Sequence, residues 1–355
     1  MEKWGEAKDL VLQEDLEEVA QSCFWREIED ESTILVTGAT GLIGSQVVKA
    51  VIYHNRIKDR HLNIVALVRD FEKAKKVFGS LIDEIEICIQ DITNPINYKG
   101  TVDYIIHGAS ATNSKYFVEK PVETITTALK GTKNILEFAK TTKIKKMVYL
   151  SSLEVYGKPE KIGGAITEKE FGYLDPMQVR SSYSEGKRMA ECLCVSYKNE
   201  YNVPVVVARL SQTFGPGVSY NDGRVFAEFA RCAIEQKDII LHTLGNTVRT
   251  YCYTKDAVTA IFCLLACGKT GEPYNVTNME TAISIKEMAD LVSNLNSDRT
   301  IKVQIDIPAD VEKFGYNPEM IIRLDSRKLE NLGWKPTVGL EEMFRRLIKS
   351  MKESR

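Results

Sequence analysis

Short apolar runs alternate along this chain with longer stretches in which apolar residues recur every three or four positions. TILVT (33–37), NIVALV (63–68), EIEICIQ (84–90), VDYIIH (102–107), KKMVYLS (145–151) and VPVVVARL (203–210) read as strands. GLIGSQVVKAVIYH, VETITTALKGTKNILEFAK (122–140) and the stretch from Ser182 to about Glu200 carry the helical spacing. Apolar strands separated by amphipathic helices predict a parallel sheet covered on both faces, a doubly wound α/β domain. Before it, residues 9–30 place Leu10, Leu12, Leu16, Val19, Ala20 and Cys23 at roughly helical spacing, which predicts one amphipathic helix in an N-terminal arm, residues 1–31. The dinucleotide-type domain is then expected over 32–210, with later segments returning to it. Residues 211–355, which loosen after the Gly/Pro-rich TFGPGVSYNDG and end in a helix from about Val338, are expected to form mainly a smaller lobe over the strand ends.

Composition narrows the choice of partner. A formal charge of −2 and a pI near 6.2 leave no global basic field for a nucleic-acid backbone. MEKWGEAKDLVLQEDLEEVAQ is acidic and lacks the apolar core of a signal peptide, and the longest greasy run, AVTAIFCLLAC (257–267), is too short to span a bilayer. A cytoplasmic protein without membrane contact is expected. The eight cysteines form no CxxC pair and the four histidines are scattered, so no metal site is expected and the thiols read as reduced, mostly buried packing residues.

The first strand runs directly into VTGATGLIGS (36–45), whose Gly38, Gly41 and Gly44 give a GxxGxxG spacing. In a strand–turn–helix setting these glycines allow a tight turn, a close approach to a pyrophosphate and close packing of the helix. The helix N-terminus then meets the negative charge, with Thr40, Leu42 and Ile43 completing the loop. At the end of the second strand, Arg69 would clamp the 2′-phosphate of NADP whereas Asp70 would accept from the free ribose of NAD; the order of the two favours NADP. Asp91 and Ile92 after the third strand are placed to flank the adenine, and Gly108, Ala109 and Ser110 after the fourth to border the cofactor.

SSYSEGKRMAE (181–191) sets Tyr183 and Lys187 four places apart, on one face of a helix. A lysine ammonium near the phenol is expected to lower its proton affinity, making a usable acid or base. Ser152, at the end of the fifth strand, would hold the substrate oxygen. A YxxxK pair alone is common; after GxxGxxG, and about thirty residues beyond SSLEVYG (151–157), it carries weight.

With these motifs the chain resembles the extended short-chain dehydrogenase/reductases of the NAD-dependent epimerase/dehydratase family. The likeness runs over most of residues 32–345 through TGATGLIGS, QDIT, HGAS, SSLEVYG, YSEGK, ARLSQTFGPG, VRTYCYTKDAV and LGWKP. SSYSEGKRMAE and NDGRVFAEF look most similar to UDP-glucuronate decarboxylases and their 4,6-dehydratase and 4-epimerase relatives. The resemblance implies a Rossmann fold and a nucleotide-diphosphate-sugar substrate. It also implies an internal-redox reaction feeding a surface polysaccharide, with Ser152, Tyr183 and Lys187 as the catalytic set and Glu154 as a further base. Arg249 of VRTY would meet the substrate diphosphate, with Arg224 and Gln212 as further substrate contacts. A homodimer is implied through the helices at 122–140 and from Ser182, with Ile125, Leu129, Leu136, Met189, Leu193 and Val195 serving interface or core.

Three departures stand out. Leu153 replaces the first residue of the acidic pair that 4,6-dehydratases carry, which argues against simple dehydration. Ala128 replaces the family's helical asparagine, and Gln212 stands where relatives often carry asparagine. Arg69 and the missing aspartate leave a net NADPH-dependent reductase as the alternative, and a non-enzymatic dinucleotide sensor or RNA-binding protein as a remote one.

Overall fold

The computed structural model describes residues 9–159, 164–295, 301–309 and 319–354; the first eight residues of the expected arm lie outside them. Its strands are β1 (Thr33–Thr37), β2 (Asn63–Val68), β3 (Glu86–Ile89), β4 (Tyr104–His107), β5 (Lys146–Ser152), β6 (Val205–Leu210) and β7 (Gln212–Phe214). They continue with β8 (Ile239–Leu241), β9 (Val248–Tyr253), β10 (Pro273–Val276), β11 (Asn278–Ser284), β12 (Val303–Ile305) and β13 (Ile321–Ile322). The helices are α1 (Leu10–Ala20), α2 (Leu42–Lys58), α3 (Phe71–Phe78), α4 (Ser114–Glu119), α5 (Pro121–Thr126) and α6 (Thr132–Thr142). After them come α7 (Ser181–Tyr201), α8 (Val225–Glu235), α9 (Thr254–Cys267), α10 (Ile285–Asn294), α11 (Arg327–Glu330) and α12 (Leu340–Glu353).

Seven strands form one sheet in the order β10-β6-β5-β4-β1-β2-β3, and every neighbouring pair is parallel. The Val- and Ile-rich runs are buried along nearly their whole length because helices cover both faces. The chain reverses its winding between β1 and β4, and the crevice beyond the C-terminal ends of these two strands is where such sheets take ligands. β11, β9 and β13 form a second sheet that β7 joins through β9, and β8 pairs with β12. A separate core of Phe214, Phe226, Tyr251, Met288 and Phe344 packs there under α8, α10 and α12. No helix among the described residues is long and apolar enough to cross a membrane.

Three sequence expectations are corrected. The arm is not one helix over 9–30: α1 stops at Ala20, a short 3-10 turn follows over Cys23–Glu27, and Leu10 and Cys23 are exposed. The break lets Trp25 turn inward, stacked on His54 (ring centroids 4.2 Å) and against Phe262 (4.0 Å), with its indole N–H donating to the Val19 carbonyl at 2.8 Å. The helix expected over 122–140 is interrupted by a π turn at Thr127–Gly131, where Gly131 passes Ile92 and Ala128 faces Gly186 so closely that a methyl on either glycine would meet its neighbour at 3.1–3.2 Å. The eight cysteines are all free, but only Cys194, Cys252 and Cys263 are buried, because Cys23, Cys192 and Cys267 fall on outer surfaces.

Candidate active site

β1 delivers the chain to Gly38 with φ +69°, a conformation that excludes most side chains. A Cβ at Gly38 would sit 2.8 Å from the Ala109 nitrogen and the Gly108 carbonyl, and one at Gly44 only 2.3 Å from the Gly38 oxygen. Gly41 donates its N–H to Gly38 at 2.9 Å and caps α2 without any side-chain bond, so the N–H groups of the first turn stay open to an anion. Leu42 and Ile43 pack toward the two main cores, leaving backbone to line the loop, and Thr40 is half-buried beside them. This cradle fits the pyrophosphate of a dinucleotide.

Thr37 and His107 end β1 and β4 side by side in the crevice. The Thr37 hydroxyl lies 2.6 Å from His107 Nδ1 and accepts from the Ala109 N–H at 3.2 Å; His107 Nε2 is 3.2 Å from the Thr132 hydroxyl. Burial pushes His107 down to about 3, so it is neutral and serves to order the loop edges. Sequence reasoning missed this pair because a threonine and a histidine seventy positions apart carry no local pattern.

At the ribose end Arg69 is exposed and makes no ion pair or hydrogen bond among the described residues. Asp70 caps α3, its carboxylate accepting from the Lys73 N–H at 3.0 Å. Asp91 accepts from the Thr93 N–H and hydroxyl at 2.8 and 2.7 Å, bonds that, with Arg69 and Lys130 nearby, hold its carboxyl below the usual range. Ile92 is buried against Gly131, while Ala109 and Ser110 are half-exposed after β4.

Ser152, Tyr183 and Lys187 come together at the C-terminal end of β5. Ser152 stands beside Tyr183, close enough for its hydroxyl to act on the phenol, and Lys187 is buried with its ammonium donating to the Leu150 carbonyl at 2.8 Å. The net direction for the phenol is upward, opposite to the acidification expected from the lysine. Burial and then the Glu154 charge push Tyr183 up, against the Ser152 hydroxyl and the charges of Arg180 and Arg224. The ammonium stands 5.9 Å from the Tyr183 ring centre, and burial pushes Lys187 itself down to about 8.

The Glu154 carboxylate accepts three hydrogen bonds, two from Arg180 at 3.0 and 2.9 Å and one from the Ser184 hydroxyl at 3.0 Å. Leu153 points away into a small cluster with Val155, Tyr156, Ile166, Ile322 and Leu324. Of the substrate candidates, Arg224 is engaged bidentately by Asp222, with contacts of 2.7–3.2 Å. Arg249 keeps a buried Nε with no partner among the described residues, while its Nη2 donates to Met320 Sδ at 4.0 Å. Gln212 is half-buried on β7, paired with Tyr251, two residues along β9 from Arg249. Phe117, Arg180 and Ser184 also belong here, and none was legible in the sequence, because α4 is a single six-residue piece and the other two precede or interleave the tyrosine–lysine pair.

Residues 34–277 match the family model described as the NAD dependent epimerase/dehydratase family. The chain belongs to that family. UDP-glucuronic acid decarboxylase 6 of Arabidopsis thaliana is 31% identical over 315 residues, covering 87% of this chain and 85% of the relative. The human dTDP-D-glucose 4,6-dehydratase is 27% identical, covering 90% of each. In fold, the chain is similar to the Bacillus cereus UDP-glucuronic acid 4-epimerase solved with UDP-glucuronic acid and NAD (TM-score 0.74, 20% identity, 91% of this chain and 100% of that one). Its relatives are decarboxylases, dehydratases and epimerases, so this chain is an enzyme, and net reduction is not favoured.

Proposed function

We propose that the enzyme modifies a nucleotide-diphosphate sugar, with a hydride leaving a sugar carbon and returning to the sugar while the dinucleotide stays bound. The observation that carries this reading is the meeting of Ser152 and Tyr183 at the β5 end, with Lys187 one turn further along α7 and its ammonium on the Leu150 carbonyl of β5. A bound nicotinamide dinucleotide supplies the hydride acceptor. Ser152 holds the sugar hydroxyl, Tyr183 takes and returns its proton, and Lys187 places a positive charge beside the phenol. Arg249, whose buried Nε has no partner among the described residues, supports a contact with the substrate diphosphate, and Arg224 could join only by loosening its grip on Asp222. Leu153, turned into the core, leaves no aspartate to protonate a leaving hydroxyl, so decarboxylation or epimerisation is the chemistry proposed.

The free Arg69 and the capping duty of Asp70 support a preference for NADP over NAD. Exposed Val122 and Ile125 of α5, and Met189 and Val195 of α7, support a homodimer through these helices, whereas Leu136 is committed to the core. Eight free thiols support a reducing, cytoplasmic setting, and a surface polysaccharide is the proposed destination of the product.

The test is to incubate the purified protein separately with UDP-glucuronic acid, UDP-glucose and dTDP-glucose and to follow the sugar by NMR, with NAD or NADP supplied. A changed sugar from one of them, without net NAD(P)H oxidation and abolished in Tyr183→Phe, is expected. Consumption of NADPH in proportion to product would overturn internal redox, and no turnover with any of them would remove the nucleotide-sugar reading.

A further inference from the structure

Tyr183 lies flat on Phe117, with ring centroids 4.2 Å apart and planes 9° from parallel, and the Arg180 guanidinium carbon stands 4.9 Å from the centre of that same Phe117 ring. Arg180 is thus engaged twice: its forked N–H edge grips Glu154, while its guanidinium carbon stands over the Phe117 ring. Phe117 is almost fully buried and its carbonyl accepts from the Ser182 hydroxyl at 3.1 Å, which fixes α4 against the start of α7.

We propose that Arg180 is a positioning residue for both proton-handling groups of this site, setting the place of the Glu154 carboxylate with its edge and, through Phe117, the plane of the Tyr183 ring with its face. The importance given to Tyr183 rests on the function proposed above. Only arginine combines a bidentate fork with a flat stacking surface; lysine supplies the charge alone.

The groups facing the phenol are the Ser152 hydroxyl from the end of β5, Glu154 from the turn after it, Arg180 from the residue capping α7, Lys187 from α7 itself, and Arg224 from the segment ahead of α8; α4 contributes the Phe117 ring. Glu154 is the one anion of this set. Its charge discourages ionisation of Tyr183, and the bidentate guanidinium offsets much of that effect. Arg180 thereby loosens the hold on the Tyr183 proton that burial and the Glu154 charge have tightened.

The test uses cofactor-free, full-length protein carrying 3-fluorotyrosine, whose fluorine makes the phenol more acidic and gives a fluorine NMR signal. The Tyr183 signal is identified by its absence from Tyr183→Phe. Glu154→Gln should weaken the hold on the proton by about tenfold, so that the signal titrates at lower pH than in the native protein. Arg180→Gln should titrate at higher pH, because Glu154 then acts unopposed. Arg180→Lys should bring the titration back toward native while leaving the fluorine shift displaced, since the charge returns without the stacking face.

Should Arg180→Gln fail to fold, Glu154→Gln and Arg180→Lys still decide the matter. Titration of Glu154→Gln at the native pH would overturn the proposal, as would an Arg180→Lys protein matching the native one in both titration and shift. No substrate or cofactor is present, so this result and the turnover experiment above can fail independently.

Discussion

Replacing Gly44 by alanine perturbs the dinucleotide cradle at its tightest point. The added methyl would stand 2.3 Å from the Gly38 oxygen, 2.9 Å from its carbonyl carbon and 3.0 Å from the Ala39 Cα, all of them backbone. Ordinary contact is ~3.5–4.0 Å, so the loop must retreat by about 1 Å. It has nowhere to go, because Gly38 is itself pressed against Gly108 and Ala109. Overpacking of this kind costs ~1–3 kcal/mol, from which ~0.5–1 kcal/mol returns because alanine suits a helix better than glycine.

The fold should therefore survive with a small loss. Binding should not: one misplaced N–H···phosphate bond is worth ~1.5–3 kcal/mol, or roughly a 10- to 100-fold rise in Kd. Calorimetric titration with NAD and with NADP, beside a thermal melt, measures both quantities. Gly79→Ala is the control, since Gly79 (φ +55°) lies in open space away from the loop and should lose some stability without any change in Kd. A Gly44→Ala protein that binds both dinucleotides with native Kd would refute the reading of VTGATGLIGS as a cofactor cradle.

Other consequences follow from single environments. Trp25→Ala should destabilise the protein by ~3–5 kcal/mol in urea unfolding, because it empties the space between His54 and Phe262 that joins the arm to α2 and α9. Asp15 is buried against Tyr253 and Arg346, and burial lifts its carboxyl from 3.8 to about 6. The folded state therefore holds this proton more tightly than the unfolded chain does. The associated stability, ~3 kcal/mol, is present below pH 3.8 and lost as pH rises through about 6, a slope that should vanish in Asp15→Asn. Lys187, pushed down to about 8, should lose its ammonium above that pH, so turnover should fall on the alkaline side; in Lys187→Arg the residual activity should show no such limb, as a pH–rate profile would reveal. Removing Glu191 from its buried pair with Arg209 (2.7 Å) should cost ~3–5 kcal/mol by melt, because the guanidinium on β6 would be left without its counter-charge.

The alternation of runs such as TILVT and NIVALV with helical stretches was enough to define the parallel sheet, because burial on both faces demands apolar residues throughout a strand. The glycine loop and the Tyr183–Lys187 pair were legible for the same kind of reason. Backbone approach needs residues without side chains, and four residues on a helix make one turn, so each signal is complete within a short stretch of chain. Other features depended on meetings across long separations. Arg180 reaches Glu154 and Phe117, Thr37 reaches His107, and Trp25 finds its slot between α2 and α9. The π turn at Thr127–Gly131 answers to Ile92 and Gly186, neither of which is near it in sequence.

Proton affinity belongs to this second group most clearly. A lysine four residues from a tyrosine indicates a phenol made more acidic, yet in the folded protein desolvation and the Glu154 charge push Tyr183 the other way. Sequence determined which groups share a helix face, since that is fixed by covalent spacing and the helix pitch. Only the tertiary structure decided how much water and which charges surround them, because desolvation and Coulomb forces depend on everything the fold brings near.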